Sequence, residues 1–354
     1  MSGTAAPRRV LAPPRASRQE RAARTLLWAG AAAGLFLLAE NLKGVAAEFP
    51  GDLLLAVLIE AVVALAGFGL LRRLRPIHPP PWGPSGASLA WGATAAAGCA
   101  LPANGGLMAV WSKTGGTGFA DEWGAALTAP VNEETLKAAG IVMLALAAPY
   151  ALRGPVDGMM LGALTGLGFQ VTENVIYGAN SIIQSGGVEP GLSVVRTSLL
   201  RVGVTGPGSH WTMTAVAGAG IGYLVARGVW GARHAVFLFL CAYGMHWFFD
   251  APVLPPGSGT LVKTAVDFLV AAIVYLALRR AYRARARRVL SAQFAAGEAP
   301  SSEVKFMLSR RGRRLARRRV PAGPHHDALA AWQQAELDLL DARAADATSL
   351  TPRR

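Results

Sequence analysis

The sequence predicts an all-α fold: a polytopic membrane helix bundle of about eight transmembrane helices with a basic, cytosolic, helical C-terminal tail. Three observations predict it. Hydrophobic residues make up 52% of the 354 residues and charged residues only 16%, against about 25% charged in soluble domains. Eight apolar stretches each approach the ~20 residues that cross a bilayer. The positive charge is segregated, because residues 279–354 hold 17 basic and 7 acidic side chains out of a net +14 for the chain. This composition excludes a disordered chain, a fibrous repeat and an ordinary soluble domain.

Residues 1–24 contain six arginines and no apolar core before a small-residue cleavage site. They read as a cytosolic tail rather than a signal peptide. The apolar spans follow at 25–46, 52–71, 88–110, 124–149, 156–179, 209–227, 232–251 and 262–280. Basic residues mark the inner loops: Arg72, Arg73 and Arg75, then Arg153, then Arg227 and Arg233. The opposite loops hold Lys43, Lys113, Arg196, Arg201 and Lys263. That bias puts both termini in the cytosol. The Ala- and Arg-rich composition suggests a bacterial chain, hence a multi-pass protein of the bacterial plasma membrane. The organisation is then a basic tail at 1–24, a transmembrane domain at 25–280 and a basic tail at 281–354.

In the long 180–208 connection, Leu192, Val195, Leu199 and Val202 recur at helical spacing, which predicts an interfacial helix on the outer face. In the C-terminal tail, Ser301-Ser302-Glu303 predicts the start of a helix running to about Arg319. After the Pro321-Ala322-Gly323-Pro324 break, a second amphipathic stretch from Asp327 to about Ala345 carries Leu329, Trp332, Ala335, Leu339 and Leu340 as its stripe. The tail therefore reads as a helical hairpin, and its Arg310–Arg319 run suits anionic lipid better than nucleic acid. The two cysteines, Cys99 and Cys241, lie in apolar segments and read as buried thiols.

Ionisable groups inside a bilayer cost at least ~2.5–3.5 kcal/mol each at mid-span and mark function. The fourth span carries Asn132-Glu133-Glu134-Thr135-Leu136-Lys137, so Lys137 reaches Glu133 at i+4 and Glu134 at i+3. The fifth carries Glu173 and Asn174 one turn beyond Phe169, after Gly162, Gly166 and Gly168. His210 opens the sixth span. The seventh ends with His246 and Asp250 at i and i+4. With this topology, Glu133, Glu173, His210 and His246 all fall between mid-membrane and the outer leaflet, so one cavity can hold them. Carboxylates and imidazoles together suggest hydrolysis, with a carboxylate activating water and imidazoles binding a metal or an oxyanion. An HExxH motif is absent from the sequence, and no Gly-x-Ser-Gly serine site appears in a span.

At these residues the chain resembles the PrsW family of intramembrane proteases, relatives of the CAAX-prenyl protease and bacteriocin-processing clan. The matching motifs occur in order: Glu133, Glu134 and Lys137; Asp157-Gly158 and the glycine run before Phe169, Glu173 and Asn174; His210; then His246 and Asp250. The resemblance covers about residues 90–260. It implies cleavage of a membrane-embedded or juxtamembrane bond of a single-span membrane protein on the outer side, an anti-sigma factor being the known type. It also implies Glu133 as the water-activating base, with Glu134, Glu173, His210 and His246 completing the catalytic set. Lys137, Phe169, Asn174 and Asp250 would support them. A divalent metal, zinc foremost, would rest on His210, His246 and Glu173, and a metal-free glutamate mechanism is the alternative. Two other readings of the buried charges are a proton-coupled transporter or channel and a non-catalytic scaffold.

Overall fold

The computed structural model describes residues 16–295 and 307–349. Among them the chain is helical throughout, without strands. Helices α1 (Arg18–Glu48) and α2 (Pro50–Leu74) meet at Phe49, where Pro50 starts α2 at the position that tolerates a missing N–H. A Pro-rich turn leads to α3 (Trp82–Trp91), a π turn (Gly92–Ala96) and α4 (Ala97–Gly115). The bundle continues with α5 (Thr117–Ala147), α6 (Pro155–Gln184), a short α7 (Pro190–Leu200), α8 (His210–Arg227), α9 (Ala232–Asp250) and α10 (Ser258–Ala295). α7 lies in the connection where an interfacial helix was expected.

Five helical stretches are long and apolar enough to cross a membrane: Arg18–Glu48, Pro50–Leu74, Trp82–Gly115, Pro190–Asp250 and Ser258–Val289. The eight expected crossings reduce to five by this measure. α5 carries Glu133, Glu134 and Lys137 near its centre, and α6 is rich in glycine with Gln170, Thr172 and Glu173. α8 and α9 fall within a single stretch. Yet α5 and α6 are 31 and 30 residues long, and ~20 suffice to cross.

α6 is the central post. From Pro155 to Val171 every residue is buried, and its chief neighbour is α8. Close approach needs glycine here. A Cβ on Gly166 would stand 2.3 Å from the His210 carbonyl, and one on Gly158 2.1 Å from the Gly218 carbonyl. The backbones therefore touch, as at small-residue interfaces in membranes, and His210 is carried up against α6.

The tail adds α11 (Arg310–Arg318) and α12 (Pro324–Ser349). The expected cap at Ser301–Glu303 lies outside the described residues. Within them Ser309 caps α11, its Oγ accepting from the Gly312 N–H at 3.2 Å. Of the expected stripe of α12, Leu340 is buried and Leu329 half-buried, and the rest of the buried face differs. Trp332, Ala335 and Leu339 are exposed, whereas Gln333, Leu337, Leu340 and Asp341 are buried. The reason is what α12 packs on. Asp341 Oδ2 lies 2.7 Å from Arg75 Nη2 and 2.6 Å from His78 Nε2, and the Tyr282 hydroxyl donates to Oδ1. Arg75 also donates to Asp157 Oδ1 at 2.7 Å. Burial alone would push the Asp341 carboxyl up, but Arg75, then His78 and Tyr282, hold it well below its usual range. Arg310 donates to the carbonyls of Arg73 and Arg75 at 2.7 and 2.6 Å. The tail thus clasps the turn that follows α2.

Candidate active site

Glu133, Glu134 and Lys137 occupy three successive faces of one turn of α5, all three nearly inaccessible to solvent. Their helix spacing lets a single ammonium meet both carboxylates. Lys137 Nζ lies 3.3 Å from Glu133 Oε2 and 2.9 Å from Glu134 Oε1. The same Nζ lies 3.0 Å from His210 Nδ1 and sits 3.9 Å over the Phe169 ring. An ammonium has only hydrogens to offer, so His210 Nδ1 accepts. Its Nε2 then carries the hydrogen, which points at Glu173 Oε2, 2.9 Å away. Phe169 packs edge-on against the His210 ring, with centroids 4.8 Å apart.

His246 enters from α9. Its Nδ1 lies 3.0 Å from Glu134 Oε1, an ionised oxygen that only accepts, so Nδ1–H donates and fixes the ring. Thr214 donates to the other Glu134 oxygen at 3.2 Å. Glu134 is thereby wholly engaged in holding its neighbours. His246 Nε2 faces inward, 3.7 Å from Glu133 Oε2 and 3.5 Å from Asp250 Oδ2. Glu133 has one oxygen tethered, Oε1 accepting from Asn104 Nδ2 at 2.9 Å, and one turned to the imidazoles. His210 Nδ1 is 3.8 Å from that oxygen.

Glu133, His210 and His246 each offer a ligand atom, and these atoms lie within 4.8 Å of one another. Two imidazoles and a carboxylate match a catalytic zinc set of the His2Glu type. Nε2 of His246 facing two carboxylate oxygens is an arrangement that calls for a cation. The donor set therefore fits a divalent metal, with Lys137 as the resident positive charge beside it. Glu173, expected among the ligands, stands one position removed. Its Oε2 is taken by Arg201 and by His210 Nε2.

Asn174 also stands behind the cluster, accepting from Arg201 Nε at 2.6 Å and donating to Glu60 Oε2 at 3.0 Å. Asp157 lies elsewhere, with Arg75 and the backbone N–H of Arg153. Four contributors were not singled out from the sequence. Asn104 and Thr214 are neutral and carry no cost signal in an apolar span. Arg201 reads as a loop charge. Glu60, a lone carboxylate in the second span, was the one legible signal, by the same cost argument that exposed Glu133.

A family model described as PrsW family intramembrane metalloprotease matches residues 80–278, which include every residue of the buried cluster. No curated protein and no solved structure matches the chain.

Proposed function

The chain belongs to the PrsW family of intramembrane metalloproteases, and from that premise we propose that it hydrolyses a peptide bond of a membrane-embedded or juxtamembrane substrate near the outer leaflet, with Glu133 activating the water. The observation that carries the residue assignment is the convergence of Glu133, His210 and His246 from α5, α8 and α9 into one buried cluster.

The roles follow from position: Glu133 Oε2, although Lys137 also donates to it at 3.3 Å, is the one carboxylate oxygen among the described residues within 4 Å of both imidazoles. Glu173 is engaged by Arg201 and His210, and Glu134 by Lys137, His246 and Thr214. Glu133 Oε2 faces both imidazoles, so it is the acceptor placed to take a proton from an attacking water. Asn104 holds its other oxygen and so sets the carboxylate plane. Lys137 offsets the charge of the two carboxylates and brings a donor to the place where an oxyanion would develop. Glu134 orients His246 through Nδ1, and Asp250 flanks its inward-facing Nε2. His210 and His246 would hold a divalent metal, which when bound polarises a carbonyl and acidifies water, while Glu133 Oε2 keeps the base role.

We keep the eight-crossing topology with both termini cytosolic, since α5 and α6 are long enough to span and their charged groups are paired inside the protein. In that frame the cluster faces the outer half of a bacterial plasma membrane. The substrate is then a single-span membrane protein, an anti-sigma factor being the family type. The exposed Arg311, Arg314, Arg318 and Arg319 would rest on anionic lipid of the inner leaflet. The test compares membrane-protein termini in cells carrying wild type and Glu133→Gln. Termini present only with wild type are expected. Their absence, with both proteins inserted and expressed alike, moves the weight to a transporter or scaffold.

A further inference from the structure

We infer that Arg201 is a positioning residue for the hydrolytic cluster, anchored from α2 by Glu60 through Asn174. The inference rests on the proteolysis reading for its activity readout but not for its structural one.

The guanidinium of Arg201 bridges two consecutive residues of α6. It donates to Glu173 Oε2 and, through Nε, to Asn174 Oδ1 at 2.6 Å. The Tyr177 ring lies 3.8 Å beneath its Cζ, one turn further along the same helix. A fork with donors on two edges and an aromatic ring below it is held in one plane, which lysine would not reproduce. Asn174 is held from the far side, because its Nδ2 donates to Glu60 Oε2 at 3.0 Å. Glu60 is 2% exposed, sits in an apolar helix, and has no other partner among the described residues. A buried carboxylate kept for a single hydrogen bond to an asparagine side chain has a cost that packing does not explain.

The line of contacts ends on the chemistry. Glu173 Oε2 also receives the Nε2 hydrogen of His210, and that hydrogen leaves Nδ1 as the lone pair facing Lys137 and Glu133. Arg201 touches no atom of the reacting cluster itself. It fixes Glu173, and Glu173 at Nε2 acts with Lys137 at Nδ1 to set which nitrogen of His210 carries the hydrogen. Glu60 lies on α2, outside the residues 80–278 that match the family, so the helices preceding that region contribute to the order of the site. Arg201 belongs to the π turn Arg201–Thr205 that follows α7, which ties the outer-face helix to the same network.

The experiment uses the full chain in lipid nanodiscs, with ¹⁵N-labelled histidine and the His210 signal identified by its loss in His210→Asn. Wild type is expected to show one His210 tautomer, hydrogen on Nε2. Arg201→Gln is expected to show a mixture and to lower the wild-type-dependent termini by about 10- to 100-fold, the range for groups that orient a ligand side chain. Arg201→Lys should recover part of both. Glu60→Leu, which keeps Arg201 and replaces the carboxylate with an apolar group, should show the same tautomer mixing in weaker form, and decides the matter if Arg201→Gln does not fold. A single tautomer with undiminished termini in Arg201→Gln, or in Glu60→Leu where that variant decides, overturns the proposal. If wild type yields no termini beyond those of Glu133→Gln, proteolysis is the reading that fails. The tautomer measurement then still decides for or against Arg201.

Discussion

Lys137 Nζ lies 3.0 Å from His210 Nδ1, on the same side of the imidazole that faces Glu133. One ammonium therefore serves two carboxylates and an imidazole lone pair. Removing it leaves buried charges without a partner, which costs about 3–5 kcal/mol.

Lys137→Met is expected to melt well below wild type. Added zinc should restore part of the loss, since a cation would again face Glu133 and His210. Thermal melting of both proteins with and without zinc checks this. A variant as stable as wild type in the absence of zinc would show that Lys137 does not balance the cluster.

Glu133→Gln should abolish cleavage while the protein stays inserted. The amide keeps an oxygen for the Asn104 hydrogen bond at Oε1 but has no charge with which to take a proton. The expected fall is about 10²–10⁴-fold, the usual share of a general base. Retained cleavage would move the base to another carboxylate.

His246→Ala should also remove activity, whereas Asp250→Asn should lower it only about 10- to 100-fold, because Asp250 lies beside His246 Nε2 at 3.5 Å but is not among the three groups whose ligand atoms converge. The ordering of the two variants, read from the same termini, is the check. Equal and complete loss in both would make Asp250 a direct participant.

Gly166→Val is expected to inactivate by displacement. A Cβ there meets the His210 carbonyl at 2.3 Å, so α8 must move away from α6 and take His210 with it. The same substitution at Gly105, where a Cβ meets nothing within 4 Å, should leave activity near wild type. Similar behaviour of the two would show that close packing at Gly166 is not needed.

Tail docking should weaken in acid. Asp341 has its carboxyl depressed in the folded state by Arg75, His78 and Tyr282, with Asp157 sharing Arg75. Its contribution is therefore present above the unfolded value near 3.8 and is lost as pH falls through the folded value below it. Hydrogen exchange of α12 should rise progressively below about pH 4, and Asp341→Asn should raise it already at neutral pH. Unchanged exchange in that variant would mean that apolar contacts at Leu337 and Leu340 hold the tail alone.

The buried cluster was legible because each of its members is expensive. Glu133, Glu134, Lys137, Glu173, His210 and His246 stand out of apolar spans, and the structure brings them into one connected cluster. The same cost keeps α5 out of the five stretches long and apolar enough to cross. Hydropathy sums the charges of α5 without seeing that Lys137 sits against both carboxylates. Asn104 and Thr214 were silent because neutral side chains fit an apolar pattern. The stripe of α12 was misphased for a related reason. Periodicity assumes an apolar partner, and the surface it meets offers Arg75, His78 and Tyr282 instead.

The pairing of Glu133, Glu134 and Lys137 within one turn of α5 has a meaning for biosynthesis. A nascent segment whose ammonium already offsets one of its two carboxylates enters lipid more readily than one in which each charge awaits a helix not yet made. His210 and His246 emerge from the ribosome some 75 and 110 residues later. The young chain is thus insertable before it is competent, and a product arrested ahead of Ala232 would sit in the membrane as an inert precursor lacking His246.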